Sequence, residues 1–224
     1  MNLLSRRRCE SESGLHTTRT WRLFIVSARP LDNWSHYELA RDHEGMHWLG
    51  WDVATIAPEE HDTLARRQSV LWKEWSVFPA PHWLPLTAID PSVNLIAGEL
   101  SFWVEGSQVN VGGHMRKDYR GRGLGTEFLT EAMRLAHKHF GMARVVAAHE
   151  DENVASRRWL SKCGFTPTGG PATYTLDNGR EARTLWWEHV DRAAKRRCRW
   201  LNAQAPSLTS ASMLLPSGSP TKAQ

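Results

Sequence analysis

Between positions 116 and 125 the chain reads Arg116-Lys117-Asp118-Tyr119-Arg120-Gly121-Arg122-Gly123-Leu124-Gly125, four basic residues and three glycines in ten. From Thr126 onward the apolar residues Phe128, Leu129, Ala132, Met133, Ala136 and Phe140 recur at helical spacing, with Glu127, Glu131, Arg134 and Lys138 on the other face. A helix therefore opens directly out of a basic, glycine-rich turn. The first amides of a helix lack intrahelical partners and stand at the positive end of its dipole, so they hold anions well. Glycines at 121, 123 and 125 let the backbone approach a ligand closely and take positive φ, while Arg116, Lys117, Arg120 and Arg122 add charge. The chemistry this arrangement suits is the binding of a pyrophosphate.

Two common phosphate loops fit poorly. A Walker loop ends in Gly-Lys-Ser/Thr, whereas Gly125 is followed by Thr126 with no lysine. The dinucleotide fingerprint needs G-x-G-x-x-G, and these glycines fall at every second residue. The residues do match the Arg/Gln-x-x-Gly-x-Gly/Ala signature of the GNAT N-acetyltransferases, through Arg120, Gly123 and Gly125. Further on, Ala143 to His149 reads as a strand, and Asn153 to Phe165 as a helix opened by Asn153, carrying the small Ser156 three residues later and closed by Gly164-Phe165. This resembles the second signature of the same family, in the same order along the chain.

The resemblance implies a mixed α/β fold: a central, mostly antiparallel twisted sheet with a splayed parallel strand pair, flanked by helices. It implies acetyl-CoA as co-substrate, lying between the strands Val109 to Met115 and Ala143 to His149. The pyrophosphate would sit on Arg120, Gly121, Arg122, Gly123, Leu124, Gly125 and Thr126. Backbone groups near Met115 would meet the pantetheine, and Asn153 and Ser156 would face the cofactor from the following helix. Asn153 also suits a helix cap, and the two roles are compatible.

The implied reaction is direct attack of a neutral primary amine on the thioester, which calls for a proton acceptor, a donor to the oxyanion and a proton for the departing sulfur. Many members of the family carry a tyrosine seven residues after the Asn as that last donor; here the position is Leu160, which cannot donate. Ser156 or a water is then the alternative. Ser156 and Leu160 together make the chain resemble the RimJ/RimL branch, which acetylates ribosomal-protein N-termini. Candidate bases are Glu99 and His114, with His149 and Glu150 behind them. The acceptor is a protein N-terminal α-amine or a small-molecule amine. A second reading, favoured by Leu160, is a regulator that binds acetyl-CoA without turnover.

The elements that must position these groups follow from periodicity and punctuation. Structure is expected to start near Trp21, with a first strand Trp21 to Val26, a short helix from Asp32 or Asn33 to about Arg41, and a stop at Gly45. His47 to Trp51 reads as an aromatic loop, followed by a helix from about Pro58 to Trp75. Trp48, Trp51, Trp72 and Trp75 are candidate cleft residues. Strands are expected near Trp83 to Ile89 and Leu95 to Val104, the latter turning at Glu105-Gly106-Ser107 into the strand from Val109. Final strands lie near Phe165 to Thr168, Ala172 to Leu176 and Ala182 to His189, with a turn at Asp177-Asn178-Gly179.

The 224 residues suit one acetyltransferase domain, residues 19–192, with a flexible lead-in at 1–18 and a basic, then disordered, tail at 193–224. No apolar run approaches a membrane span. The basic start lacks the apolar region of a signal peptide, and three scattered cysteines suit a reducing cytoplasm. Of 11 histidines, only His43 and His47 share i, i+4 spacing; Glu44 follows His43 as in a zinc helix, but Gly45 also lies between the two histidines, and no metal site is expected. The net charge of +4 partly reflects Arg6 to Arg8 and Lys195 to Arg197, and no nucleic-acid recognition motif accompanies it. The family resemblance leaves a homodimer open.

Overall fold

The computed structural model describes residues 16–27, 29–30, 42–50, 75–76, 83–176 and 178–195. The main sheet is built from β1 (Thr17–Arg19), β2 (Phe24–Val26), β5 (Trp83–Asp90), β6 (Leu95–Glu105), β7 (Gln108–Met115), β8 (Arg144–Glu150), β9 (Thr166–Thr168), β10 (Thr173–Thr175) and β11 (Glu181–Val190). Its order is β1-β2-β5-β6-β7-β8-β11-β10, with β9 also on β11, while β3 (Arg29–Pro30) and β4 (Trp75–Ser76) form a separate small ladder. Three helices accompany them among the described residues: α1 (His43–Leu49), α2 (Leu124–Lys138) and α3 (Val154–Lys162).

The alternation of β6 and β7 decides which face is which. Leu100, Phe102, Val111 and Met115 share one cluster with Phe128, Leu129, Ala132 and Met133 of α2 and with Leu160 of α3. Each such large side chain, once buried, contributes about 1.5–3 kcal/mol. The intervening residues Glu99 and Ser101 of β6, with Asn110 and His114 of β7, point to the opposite face.

All main-sheet pairings are antiparallel except β7 with β8, and that pair meets at one position only, Asn110 with Val146. On its other side β7 stays in register with β6 from Gln108 to Met115. Gly113 allows that closeness: a Cβ there would lie 2.1 Å from the Glu99 carbonyl oxygen. Held to β6 and released from β8, β7 diverges toward Met115, and the splayed pair implied by the resemblance is present.

The strands from Trp83 onward lie within one or two residues of expectation, but the N-terminal part differs. The lead-in does not extend to residue 18, since His16 is buried and Thr17–Arg19 pair with Phe24–Val26. A single strand from Trp21 is replaced by this hairpin. Its turn is closed by Thr20 N–H donating to the Leu23 carbonyl at 2.9 Å and by Leu23 N–H donating to Thr20 Oγ1 at 2.9 Å, leaving Trp21 93% exposed. Glu127 of α2 accepts from the Arg22 backbone and guanidinium, each at 2.8 Å, pinning the hairpin to the helix.

Gly45 does not stop a helix either; it is buried inside α1, whose end is Gly50 at φ 67°. Asp42 caps α1 by accepting from the Gly45 amide at 3.2 Å. His47 and Trp48 are thus helical rather than a loop. The helices expected from residue 32 and residue 58 fall mainly outside the described residues, as do Trp51, Trp72 and the tail from residue 196. Among the described residues, no helix is long and apolar enough to cross a membrane.

Buried histidines give the fold a pH signature. Burial, reinforced by neighbouring His139, lowers His16 from 6.5 to about 4. His149 and His189 are lowered as well, again mainly by burial. A histidine whose folded pKa lies below its unfolded value leaves stability intact above pH 6.5 and removes it as pH falls through the window between the two. For His16 that loss reaches up to about 3 kcal/mol near pH 4, at about 1.4 kcal/mol per unit. Melting temperature measured from pH 7.5 to 4 should fall below pH 6.5, and more shallowly in His16→Gln; equal slopes would remove His16 as a source.

Candidate functional site

The turn at the end of β7 is anchored from beneath. Lys117–Tyr119 form one turn of 3-10 helix, and Tyr119 is buried. Its hydroxyl is bonded to Asp90, and its ring lies under Arg116 and Arg122, whose guanidinium carbons are 5.7 Å and 5.4 Å from the ring centroid. The backbone then takes left-handed conformations at Gly121, φ 72°, and Gly123, φ 78°. Gly123 is the N-cap of α2 and, having no side chain, leaves the first turn of that helix uncapped.

This end of α2 has room for a ligand. A Cβ on Gly121 would meet nothing within 4 Å, and one on Gly123 would meet only Arg22, at 3.5 Å. An uncapped helix start, open glycines and basic neighbours fit the pyrophosphate of acetyl-CoA, and the diverging β7 and β8 fit an arm reaching inward from it.

Arg120 is engaged differently from its neighbours. Its Nε–H donates to the Met115 carbonyl at 2.9 Å, and its guanidinium pairs with Asp42, which is itself almost fully buried. Arg120 thus ties the end of β7 to the start of α1. Arg180 does the same on the other side: it donates to both Glu150 oxygens, at 2.7 Å and 2.6 Å, and to the His47 carbonyl at 2.8 Å. Helix α1 is therefore tethered to β7 at its first turn and to β8 at its last. A helix of seven residues is about 10 Å long, roughly twice the spacing of paired strands.

The candidate bases separate by their partners. Glu99 and His114 are direct cross-strand neighbours, with Thr87 on the far side of Glu99, all on the face opposite α2. Glu99 is only 4% exposed. His149, by contrast, has both ring nitrogens committed: Trp187 Nε1–H donates to its Nε2 at 2.9 Å, so its Nδ1 carries the proton bonded to the Glu150 carbonyl. Glu150 is held by Arg180. These two serve architecture.

On α3, Asn153 Oδ1 accepts from the Ser156 amide at 2.9 Å, so the cap is present. Leu160 is in the core and offers no proton. No group of His, Cys, Asp and Glu side chains among the described residues could hold a metal. Residues not singled out from sequence are Asp42, Arg180 and Trp159. Asp42 stands directly before the helix it caps, a usable signal; Arg180 and Trp159 carried none, because their partners lie far along the chain or on another element.

The Acetyltransferase (GNAT) domain model matches residues 22–166. No curated protein matches the chain. Among solved structures, the chain is similar to RimL, a ribosomal α-N-protein acetyltransferase in complex with coenzyme A, at 18% identity and TM-score 0.54, covering 78% of this chain and 97% of that one. It is similar to a ribosomal-protein-alanine acetyltransferase from Vibrio fischeri at 13% identity and TM-score 0.53, covering 80% and 98%. It is also similar to a spermidine N-acetyltransferase from Vibrio cholerae in complex with coenzyme A and spermine, at 11% identity and TM-score 0.51, covering 82% and 100%. At these identities the likeness is one of fold.

Substitution at the helix start separates charge from backbone strain. Gly123→Asn and Gly123→Asp impose the same left-handed strain, but only the second puts a carboxylate against a bound pyrophosphate. Calorimetric titration with acetyl-CoA should give at least about ten-fold weaker binding for the Asp variant than for the Asn variant. Equal affinities would place the pyrophosphate elsewhere.

Proposed function

The chain belongs to the GNAT acetyltransferase family, and we propose that it transfers the acetyl group of acetyl-CoA to a primary amine by direct attack within a ternary complex. The observation that carries this reading is the opening between β7 and β8, with the uncapped start of α2 beside it and the Glu99–His114 pair on the opposite sheet face. Bound acetyl-CoA supplies an activated acyl group. The chain's own contribution is orientation and proton transfer, and orientation alone supplies much of such an acceleration.

A protonated amine has no lone pair to attack with, so a group near the carbonyl must take its proton. Glu99 and His114 are proposed for this, acting together or through a water: Glu99 as the acceptor, His114 beside it on β7, closer to the opening. The bond that forms is carbon to nitrogen and the bond that breaks is carbon to sulfur; the amine proton leaves through this pair. Ser156, on the first turn of α3, is proposed to donate toward the departing sulfur, since Leu160 cannot. Asn153, Met115 and the turn from Arg120 to Thr126 are proposed to hold the cofactor.

The acceptor is a protein N-terminal α-amine or a small amine. RimL acts on a ribosomal protein and the Vibrio cholerae enzyme on spermidine, and this chain shares the fold of both. Leu160 also favours a second reading, acetyl-CoA binding without turnover, because it leaves the usual tyrosine position without a donor. Release of free thiol from acetyl-CoA, measured against peptides differing in their first residue, polyamines and aminoglycosides, decides between them. Turnover with one class supports the enzyme and names its acceptor; binding of acetyl-CoA with no thiol release from any supports the regulator.

With an acceptor in hand, Glu99→Gln should lower kcat by about 100-fold and flatten the acid limb of the pH–rate profile, while His114→Ala shifts that limb. Profiles unchanged in both variants would exclude the pair.

A further inference from the structure

The indole of Trp159 is placed where three elements converge. A Cβ on Gly125, in the first turn of α2, would lie 3.3 Å from Trp159 Nε1 of α3 and 3.2 Å from Cγ of Met115 at the end of β7. The Nε1 atom is buried and has no hydrogen-bond partner among the described residues. A buried indole N–H ordinarily finds an acceptor, and leaving one unmet costs free energy. The start of α2 nearest the indole offers no side-chain acceptor, since Gly123 at the cap and Gly125 in the first turn have no side chains.

We propose that Trp159 is a further cofactor-binding residue, its indole N–H donating to an oxygen of the acetyl-CoA pyrophosphate; this rests on the acetyl-CoA reading above. The first turn of α2 presents unpaired amides to the same ligand, and a donor beside that turn meets a group with several ionised oxygens. Gly125 brings the start of α2 against the indole. Any side chain there would press against both Met115 and the indole, so this glycine is needed for the closeness of α2 to α3 as well as for the backbone of the turn.

The test is a pair of affinities on the full chain, for coenzyme A and for ADP, which carries the pyrophosphate without the pantetheine arm. Trp159→Phe deletes the N–H and keeps an aromatic ring. Its expected result is at least about ten-fold weaker binding of both ligands by calorimetry, with the melting temperature of the ligand-free protein unchanged or raised, because an unmet donor has been removed. Undiminished affinity for both ligands overturns the proposal, and so does a loss confined to coenzyme A, which would move the acceptor to the pantetheine arm. If the wild-type chain binds neither ligand, the acetyl-CoA reading fails first. Should Trp159→Phe fold poorly, benzothienylalanine at position 159 replaces the N–H with sulfur at nearly constant shape, and the same two affinities apply.

Discussion

A parallel strand pair that bonds at one position and then separates leaves backbone donors and acceptors facing a gap, and a gap in the middle of a sheet closes unless something holds its sides. Here β7 is held to β6 along its whole length and to β8 only at Asn110. The antiparallel ladder on one side outweighs the single parallel contact on the other, because drawing β7 onto β8 would break ladder bonds already made with β6. The opposite side is held as firmly, since β11 pairs with β8 from Arg144 to Glu150. The opening is therefore bounded on each side by a complete ladder.

Helix α1 depends on the same constraint. It is short, contains a glycine and would be marginal alone, as isolated helices of this length do not persist in water. What stabilises it is attachment at both ends, Asp42 to Arg120 and the His47 carbonyl to Arg180, together with burial of Met46. Arg120 is the residue through which this matters. One guanidinium contacts the last carbonyl of β7 and the cap of α1, so the turn proposed to receive a phosphate and the helix beside the opening share a fixed point.

The stretch from Val109 to Phe165 was legible in the sequence because its signals are local: glycines at a turn, an apolar stripe, an asparagine cap, a closing glycine. Each of these acts within a few residues of where it is read. The N-terminal hairpin was not, since its register depends on Thr20 closing a turn and on Glu127, about a hundred residues away, accepting from Arg22. Gly45 misled for a related reason. A glycine inside a helix is a poor former by propensity, yet burial and the Asp42 cap outweigh its roughly 1 kcal/mol penalty.

The acid–base residues show most clearly what one dimension leaves out. Glu99, His114, His149 and Glu150 are all, as letters, polar groups on the strands β6, β7 and β8. In three dimensions His149 is locked by Trp187 and the Glu150 carbonyl, and Glu150 by Arg180, whereas Glu99 and His114 face each other across a ladder. A histidine donating through one nitrogen and accepting through the other cannot take a further proton without losing a bond, and burial already opposes its charge. Proton transfer is therefore proposed for this cross-strand pair, which lies on the sheet face opposite α2. On that proposal the cofactor's anionic end and the site of deprotonation stand on different sides of one sheet, with the opening between β7 and β8 as the passage joining them.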